Sequence, residues 1–119
     1  MADILEQLRD AIDGMTYPSE SDEEFAVTDF GASFVSARAV VESVAQSHAI
    51  GQVPLGKFFD DLAGDSQIAR FRALQKLIGE NLVDAGVFRV DRESEVAIYL
   101  LGRVPAGNWV GVKTMSVET

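Results

Sequence analysis

Four carboxylates fall within five positions of this chain, at Glu20, Asp22, Glu23 and Glu24, directly after Tyr17 and Pro18. Residues 1–24 hold eight acidic side chains and one basic side chain, whereas the other 95 residues hold eleven acids and nine bases. The first 24 residues therefore contribute -7 of the net charge of -9. A polar loop that carries carboxylates can imitate a polyanion or approach a metal ion, because both uses need projecting oxygen atoms.

The other residues that could do chemistry do not form a catalytic pattern. The chain has no cysteine and a single histidine, His48, which excludes thiolate zinc sites, redox motifs and a cysteine nucleophile. It has no Ser/His/Asp order, no glycine-rich phosphate loop and no pair of carboxylates with an evident general acid. We therefore expect a protein that is not an enzyme and that carries no cofactor.

The amino-acid composition limits the binding partners and the cellular compartment that we expect for this protein. A chain of 119 residues with 47% apolar content predicts a single domain, residues 1–119, whose core needs no disulfides. The ten Lys and Arg residues are scattered, which argues against direct binding to nucleic acid. Acidic residues interrupt the N-terminal region, and no segment reaches the ~18 apolar residues of a membrane span. We expect no signal peptide, no membrane partner and a soluble, cytoplasmic protein.

The first third of the sequence predicts a helix and a strand on either side of the acidic loop. Helical spacing of apolar residues begins after Asp3, a suitable N-cap with Glu6 three residues later, and stops at Gly14. After the loop, residues Phe25–Phe30 alternate well enough for a short strand, which the small residues at 31–33 break.

The middle of the sequence predicts helices. Apolar residues at spacings of three and four favour a second helix over Val35–Gln46, with Ala37, Val40, Val41 and Val44 on its stripe. Gly51 and Pro54 mark a loop, and residues 55–62 suit a helical turn or two. A third helix is predicted from about Asp65 to Leu82, with its basic residues outside the apolar stripe.

The last third changes to strands. Val87–Val90, the polar turn 91–94 and the wholly apolar Val96–Leu101 are followed by a turn over 105–108 and a strand over Trp109–Val117. A continuous apolar run indicates a strand buried on both faces, so helices should cover both sides of the sheet. The sequence therefore predicts an α+β chain folded as a three-layer α/β/α sandwich, with a C-terminal three-stranded antiparallel meander.

Several short segments resemble the nuclease A inhibitor family. Their order and spacing match from end to end apart from the middle. They are Ile4–Leu8 in the first helix, Ser19–Ser21 in the loop, Phe71, Gln75–Leu77 and Asn81–Leu82 in the third helix, Pro105–Asn108 with Gly111, and Val117–Thr119 at the chain end.

The resemblance implies a fold, an activity and a partner. The family's fold is a three-layer α/β/α sandwich, in agreement with the prediction from hydrophobic patterning. Its activity is the inhibition of a non-specific, magnesium-dependent DNA/RNA nuclease of the ββα-metal type, whose active site the inhibitor plugs. Such a nuclease uses a divalent ion to hold the scissile phosphate, and a rigidly held carboxylate can occupy the place of that phosphate.

Carried over motif by motif, the resemblance also implies site residues. Glu20, between Ser19 and Ser21, would reach the metal of the bound nuclease directly or through a water. Thr119 would approach the same site with its hydroxyl or its free carboxylate. Asp22, Glu23 and Glu24 would steer the inhibitor toward a basic cleft.

One segment departs from the family pattern, and one rival function stays open. Between Phe59 and the third helix, the known inhibitor has a longer segment with an aromatic residue, where this chain has only Asp60–Gly64. The interface could then be smaller and the target different. The rival is a non-enzymatic acidic module that binds another basic or metal-bearing partner; a hydrolase ranks third. We expect the free protein to be a monomer.

Each of these residues also has a structural interpretation without function. Acidic runs are usually solvated loops, and a C-terminal residue such as Thr119 usually frays unless its strand holds it. His48 fits a surface position near a helix end. Trp109, Tyr99 and the Phe58–Phe59 pair fit core packing rather than a ligand site.

Overall fold

The computed structural model of the protein describes residues 3–18, 23–46, 49–91 and 95–117. These residues form four helices, a two-stranded sheet and a five-stranded antiparallel sheet. In chain order the elements are α1 (Ile4–Ile12), β1 (Thr16–Tyr17), β2 (Glu23–Glu24), β3 (Ala26–Gly31), α2 (Ala37–Ala45), β4 (Ile50–Val53), α3 (Leu55–Asp60), α4 (Ile68–Asn81), β5 (Val83–Asp91), β6 (Glu95–Arg103) and β7 (Trp109–Val117).

The larger sheet has the strand order β3-β7-β6-β5-β4, so the predicted meander β5–β6–β7 is confirmed at its centre. The apolar run Val96–Leu101 lies in the middle strand, β6, where every residue of the run is buried. Gly111 of β7 allows the close approach of β6, because a Cβ there would run into the carbonyl oxygen of Leu100.

Two hydrophobic clusters lie on the sheet, and β6 contributes to both. Because successive side chains of a strand point to opposite faces, Ile98 and Leu100 belong to one cluster, and Tyr99 and Leu101 belong to the other. The first cluster includes residues of α1, α3 and α4, whereas α2 is the helix that contributes to the second. The expectation that both faces of β6 are buried is therefore confirmed.

The start of a helix was predicted correctly where a neighbouring side chain caps it. The Asp3 carboxylate accepts a hydrogen bond from the Glu6 N–H at 2.9 Å, so the predicted N-cap of α1 is confirmed. The third predicted helix, α4, begins at Ile68 rather than near Asp65. The Asp65 carboxylate instead accepts from the Gln67 N–H at 2.8 Å, a turn that competes with helix formation.

The second predicted helix is shorter than expected and buries three of the four residues predicted on its apolar stripe, Ala37, Val40 and Val41. α2 spans Ala37–Ala45, with Ser36 as its N-cap and Gln46 in the left-handed conformation that ends it. Val44 was predicted on the buried stripe but is 46% exposed, and Ala45 is buried instead. The prediction for Val44 is wrong, because Ala45 rather than Val44 joins Val40 and Val41 in the hydrophobic cluster.

Three strands were not predicted. The residues around Gly51 were predicted as a loop, but Ile50–Val53 forms the edge strand β4, which pairs with β5. Its central residues are exposed and Pro54 ends it at once, so its apolar pattern is too short to indicate a strand. The remaining two, β1 and β2, pair with each other on either side of the acidic loop.

The antiparallel pairing defines two ends of the large sheet. At the end that we call the loop end, β3 begins with Ala26 opposite Lys113, and β7 finishes with Val117 opposite Glu95. At the other end, which we call the turn end, β3 finishes with Gly31 opposite Trp109. The predicted turn over 105–108 joins β6 to β7 at the turn end, where the Val104 N–H donates to the Asn108 carbonyl at 2.8 Å.

Candidate partner-binding site

The base of the acidic loop is a short β-hairpin. Thr16 of β1 lies opposite Glu24 of β2, and Tyr17 lies opposite Glu23. Of the predicted site residues, Glu23 and Glu24 are therefore in β2. The others, Ser19, Glu20, Ser21, Asp22 and Thr119, lie outside the described residues.

Aromatic side chains pack the hairpin against two helices. Tyr17 and Phe25 flank the loop and contact each other edge to face, with ring centroids 6.4 Å apart. Tyr17 stacks on Phe58 of α3 at 5.9 Å, and Phe25 meets Phe71 of α4 at 6.2 Å. Phe58 and Phe59 are both buried, so their predicted place in the core is confirmed. Each arm of the hairpin is thus attached to a different helix.

A side-chain amide holds the first strand of the hairpin. The Thr16 N–H donates to Oε1 of Gln67 at 3.1 Å, and Nε2 of Gln67 donates to the Thr16 carbonyl at 3.1 Å. Gln67 lies directly before α4. Its own backbone N–H donates a hydrogen bond to the Asp65 carboxylate, which helps to orient the residue. Its amide occupies the place that the peptide group of a neighbouring strand would take.

A hydroxyl on the last strand holds the second arm. Oγ1 of Thr114 in β7 donates to the carbonyl of Glu24 at 3.0 Å, and the carbonyl of Glu23 lies 3.4 Å away. Thr114 is 2% exposed and lies on the same face of β7 as the buried Val110 and Val112. These three buried residues pack the last strand into the sheet.

Four carboxylates of the described residues lie at the loop end. Glu23 is half-buried, and Glu24, Asp91 and Glu95 are exposed. Within the described ranges, none of these four side chains has an ion-pair partner. Nor does that part of the chain contain a group of three His, Cys, Asp or Glu side chains able to hold a metal ion.

A cleft of about 430 Å³ lies between the hairpin and α3. Asp61 and Leu62, from the short segment that departs from the family pattern, line one side of it, and Tyr17 and Pro18 line the other. Lys57 and Asp61 form an ion pair of 3.0 Å at its rim. The short segment therefore forms part of the wall of this cleft.

The remaining residues singled out from the sequence have structural roles or lie outside the described residues. Trp109 is 2% exposed, and its indole N–H donates to the Phe34 carbonyl at 3.0 Å. Tyr99 is 1% exposed. The interpretation of both as core residues is confirmed. His48 lies outside the described residues.

Sequence reasoning missed Gln67 and Thr114. A faint signal exists for Thr114, because it is a polar residue at the buried phase of an alternating strand. Gln67 gives no such signal, since its partner Thr16 is 51 positions away in the sequence.

Fold and site together define an α+β protein that presents an acidic hairpin from one end of an antiparallel sheet. The family model described as nuclease A inhibitor-like protein matches residues 2–119, nearly the whole chain. The chain therefore belongs to the nuclease A inhibitor-like family, and the resemblance noted in the sequence is confirmed. No individual curated protein matches the chain.

Membership sets the broad role. It implies a nuclease inhibitor whose partner is a nuclease, and it places the chain in a family of inhibitor proteins rather than enzymes. In the described part of the chain, no helix is long and apolar enough to cross a membrane.

Proposed function

We propose that this protein inhibits a non-specific, magnesium-dependent nuclease of the ββα-metal type by plugging its active site with the acidic loop and the C-terminus. In this proposal Glu20, flanked by Ser19 and Ser21, is directed at the metal ion of the nuclease. Thr119 acts on the same site. The scaffold is a three-layer α/β/α sandwich, as expected from helical residues in both hydrophobic clusters.

The observation that carries the proposal is the hydrogen bond from Thr114 to the carbonyl of Glu24. It joins the base of the acidic loop to the strand that leads to the C-terminus. Because β3 is antiparallel to β7, the chain enters β3 and leaves β7 at the same end of the sheet. This supports a single site to which both the loop and Thr119 contribute.

The chemistry of the partner explains why a carboxylate suits this role. A metal-dependent nuclease holds the scissile phosphate on a divalent ion, surrounded by basic residues. A carboxylate supplies the same hard oxygen ligands, and Mg²⁺ usually keeps several waters, so contact through a water is sufficient. The metal belongs to the nuclease in this proposal, and the inhibitor contributes the oxygen atoms and their position.

The other carboxylates serve association. Asp22, Glu23 and Glu24 lie beside Glu20 in sequence, and Asp91 and Glu95 lie at the same end of the sheet. A group of carboxylates attracts a basic cleft over a distance and raises the association rate more than the final affinity.

A nuclease titration tests the proposal. Increasing amounts of the protein are added to a fixed concentration of a ββα-metal nuclease, and plasmid degradation is followed with Mg²⁺ in excess. We expect activity to fall to zero near one inhibitor per nuclease. Full activity at a large excess of the protein would contradict the proposal, and a pull-down with basic or metal-bearing proteins would then test the rival acidic module.

The state of the free protein is part of the same proposal. We propose a cytoplasmic monomer, because an inhibitor that presents its loop to a nuclease needs the loop end uncovered. Size-exclusion chromatography with light scattering should give the mass of one chain, 12.9 kDa. A stable dimer of twice that mass would contradict the monomeric state.

A further inference from the structure

The hairpin beneath the acidic loop is too small to hold its own position. β1 and β2 pair through only two residues each. An isolated two-stranded hairpin is at best marginally stable in water, even when its strands are longer. The position of the loop base must therefore be set by groups outside the hairpin.

We propose that Gln67 and Thr114 are positioning residues that latch the base of the acidic loop, residues 16–17 and 23–24, from two separate parts of the fold. Gln67 bonds β1 from the start of α4, and Thr114 bonds β2 from the last strand of the sheet. This inference rests on the proposed function, because it gives the latches their purpose, which is to fix the loop in the geometry that fits a nuclease active site.

The Gln67 latch fixes the direction in which the backbone polar groups of Thr16 point. The N–H and the carbonyl of Thr16 both bond the same side-chain amide, so Thr16 turns its polar groups away from β2 and toward α4. An amide can satisfy both because it combines one donor and one acceptor in a plane. The same side of α4 also holds the chain just before the hairpin, since Nη2 of Arg70 donates to the Ala11 carbonyl at 2.9 Å.

The Thr114 latch is rigid for a different reason. Its side chain is buried and β-branched, which restricts the rotation that sets the hydroxyl direction. The neighbouring strand residues Val112 and Ser116 are also buried, so β7 cannot shift easily under the hairpin. Binding sites need supporting groups locked in this way, because a loop that samples several positions loses affinity on ordering.

Substitutions of nearly equal shape test each latch. Thr114→Val keeps the branched shape and removes the hydroxyl, whereas Thr114→Ser keeps the hydroxyl. The matched control is Thr28→Val in β3, because the Thr28 side chain forms no hydrogen bond with the described part of the chain. For the other latch, Gln67→Met removes the amide, and Gln52→Met on the edge strand β4 is its control.

Two measurements are made on every variant of the full chain. The first is backbone amide hydrogen exchange, which needs no nuclease. We expect Thr114→Val and Gln67→Met to speed exchange at residues 16–17 and 23–25, while the centre of β6 stays protected. The second is the inhibition constant against a ββα-metal nuclease, which should rise by about tenfold for each latch variant, mainly through faster dissociation.

The controls and the rescue decide the interpretation. Thr114→Ser, which keeps the hydroxyl, should inhibit more strongly than Thr114→Val, and both control variants should behave as wild type. Unchanged exchange at residues 16–17 and 23–25 in the two latch variants would overturn the latch. Faster exchange there with an unchanged inhibition constant would overturn the positioning role. A wild-type protein that inhibits no such nuclease would overturn the proposed function, while the exchange data would still decide whether the latch exists.

Discussion

The carboxylates at the two ends of the large sheet differ in whether they have bonding partners in the described part of the chain. At the turn end, Asp84 pairs with Arg103 at 3.6 Å, and Asp29 accepts hydrogen bonds from the Gly31 N–H at 2.8 Å and from Asn108 at 3.3 Å. At the loop end, Glu23, Glu24, Asp91 and Glu95 have no ion-pair partner in the described part of the chain.

The difference separates charges that serve the fold from charges that face outward. A carboxylate that bonds a turn or a neighbouring strand stabilises local structure, as Asp29 does beside the irregular pairing of β3 with β7. Several neighbouring carboxylates without an ion-pair partner among the described residues repel each other and so disfavour the compact state. In the proposed function, the carboxylates at the loop end face an external partner of positive charge.

The largest expected effect comes from a change at the centre of the sheet, which supports both ends. Leu100→Ala should lower the free energy of unfolding by about 2–5 kcal/mol, because Leu100 is fully buried and the substitution leaves a cavity. Chemical denaturation measures this, and inhibition should weaken only as far as the protein unfolds. A loss below about 1 kcal/mol would mean that the core collapses around the site.

The next effect is confined to the loop end. Deletion of Glu118 and Thr119 should weaken inhibition of a ββα-metal nuclease by at least about tenfold, or about 1.4 kcal/mol. The melting temperature should stay nearly unchanged, because the pairing of β7 up to Val117 is retained. The control is the full chain with an N-terminal tag, since the N-terminal end of α1 is about 13 Å along the helix from the hairpin side. Equal inhibition by the truncated and full chains would remove Thr119 from the site.

The smallest effect is kinetic and compares the two ends directly. Raising the ionic strength from about 0.01 M to 0.15 M shortens the screening length from about 30 Å to about 8 Å, so the association rate with a basic nuclease should fall steeply. The dissociation rate should change little. Glu24→Gln at the loop end should reduce this salt dependence, whereas Asp84→Asn at the turn end should not. A salt-insensitive association rate would show that the loop end does not face the partner.

The central elements of the fold could be predicted because their signals are local. The apolar run 96–101, the strand over 109–117 and the cap at Asp3 each follow from neighbouring residues, and all three are confirmed. The edge strand β4 could not be predicted, since an edge strand of four residues has exposed positions and depends on pairing with β5.

The negative charge of the candidate site could be predicted from the sequence, but the residues that hold the hairpin in place could not. The carboxylates at 20–24 and the family resemblance are visible in the sequence. The hairpin depends on Gln67, 51 positions from Thr16, and on Thr114, 90 positions from Glu24. Such contacts arise only when the helices and the sheet have packed, so no spacing rule could reveal them.

One comparison of inhibition constants tests the central claim most directly. Glu20→Gln and Glu23→Gln each remove one charge, but only Glu20 is proposed to reach the metal of the nuclease, whereas Glu23 is a half-buried residue at the hairpin base. Both variants should keep the circular dichroism spectrum and melting temperature of the wild type. We predict that Glu20→Gln weakens inhibition of a ββα-metal nuclease far more than Glu23→Gln does. Equal effects of the two substitutions would contradict a metal-directed carboxylate and would indicate diffuse electrostatic attraction instead.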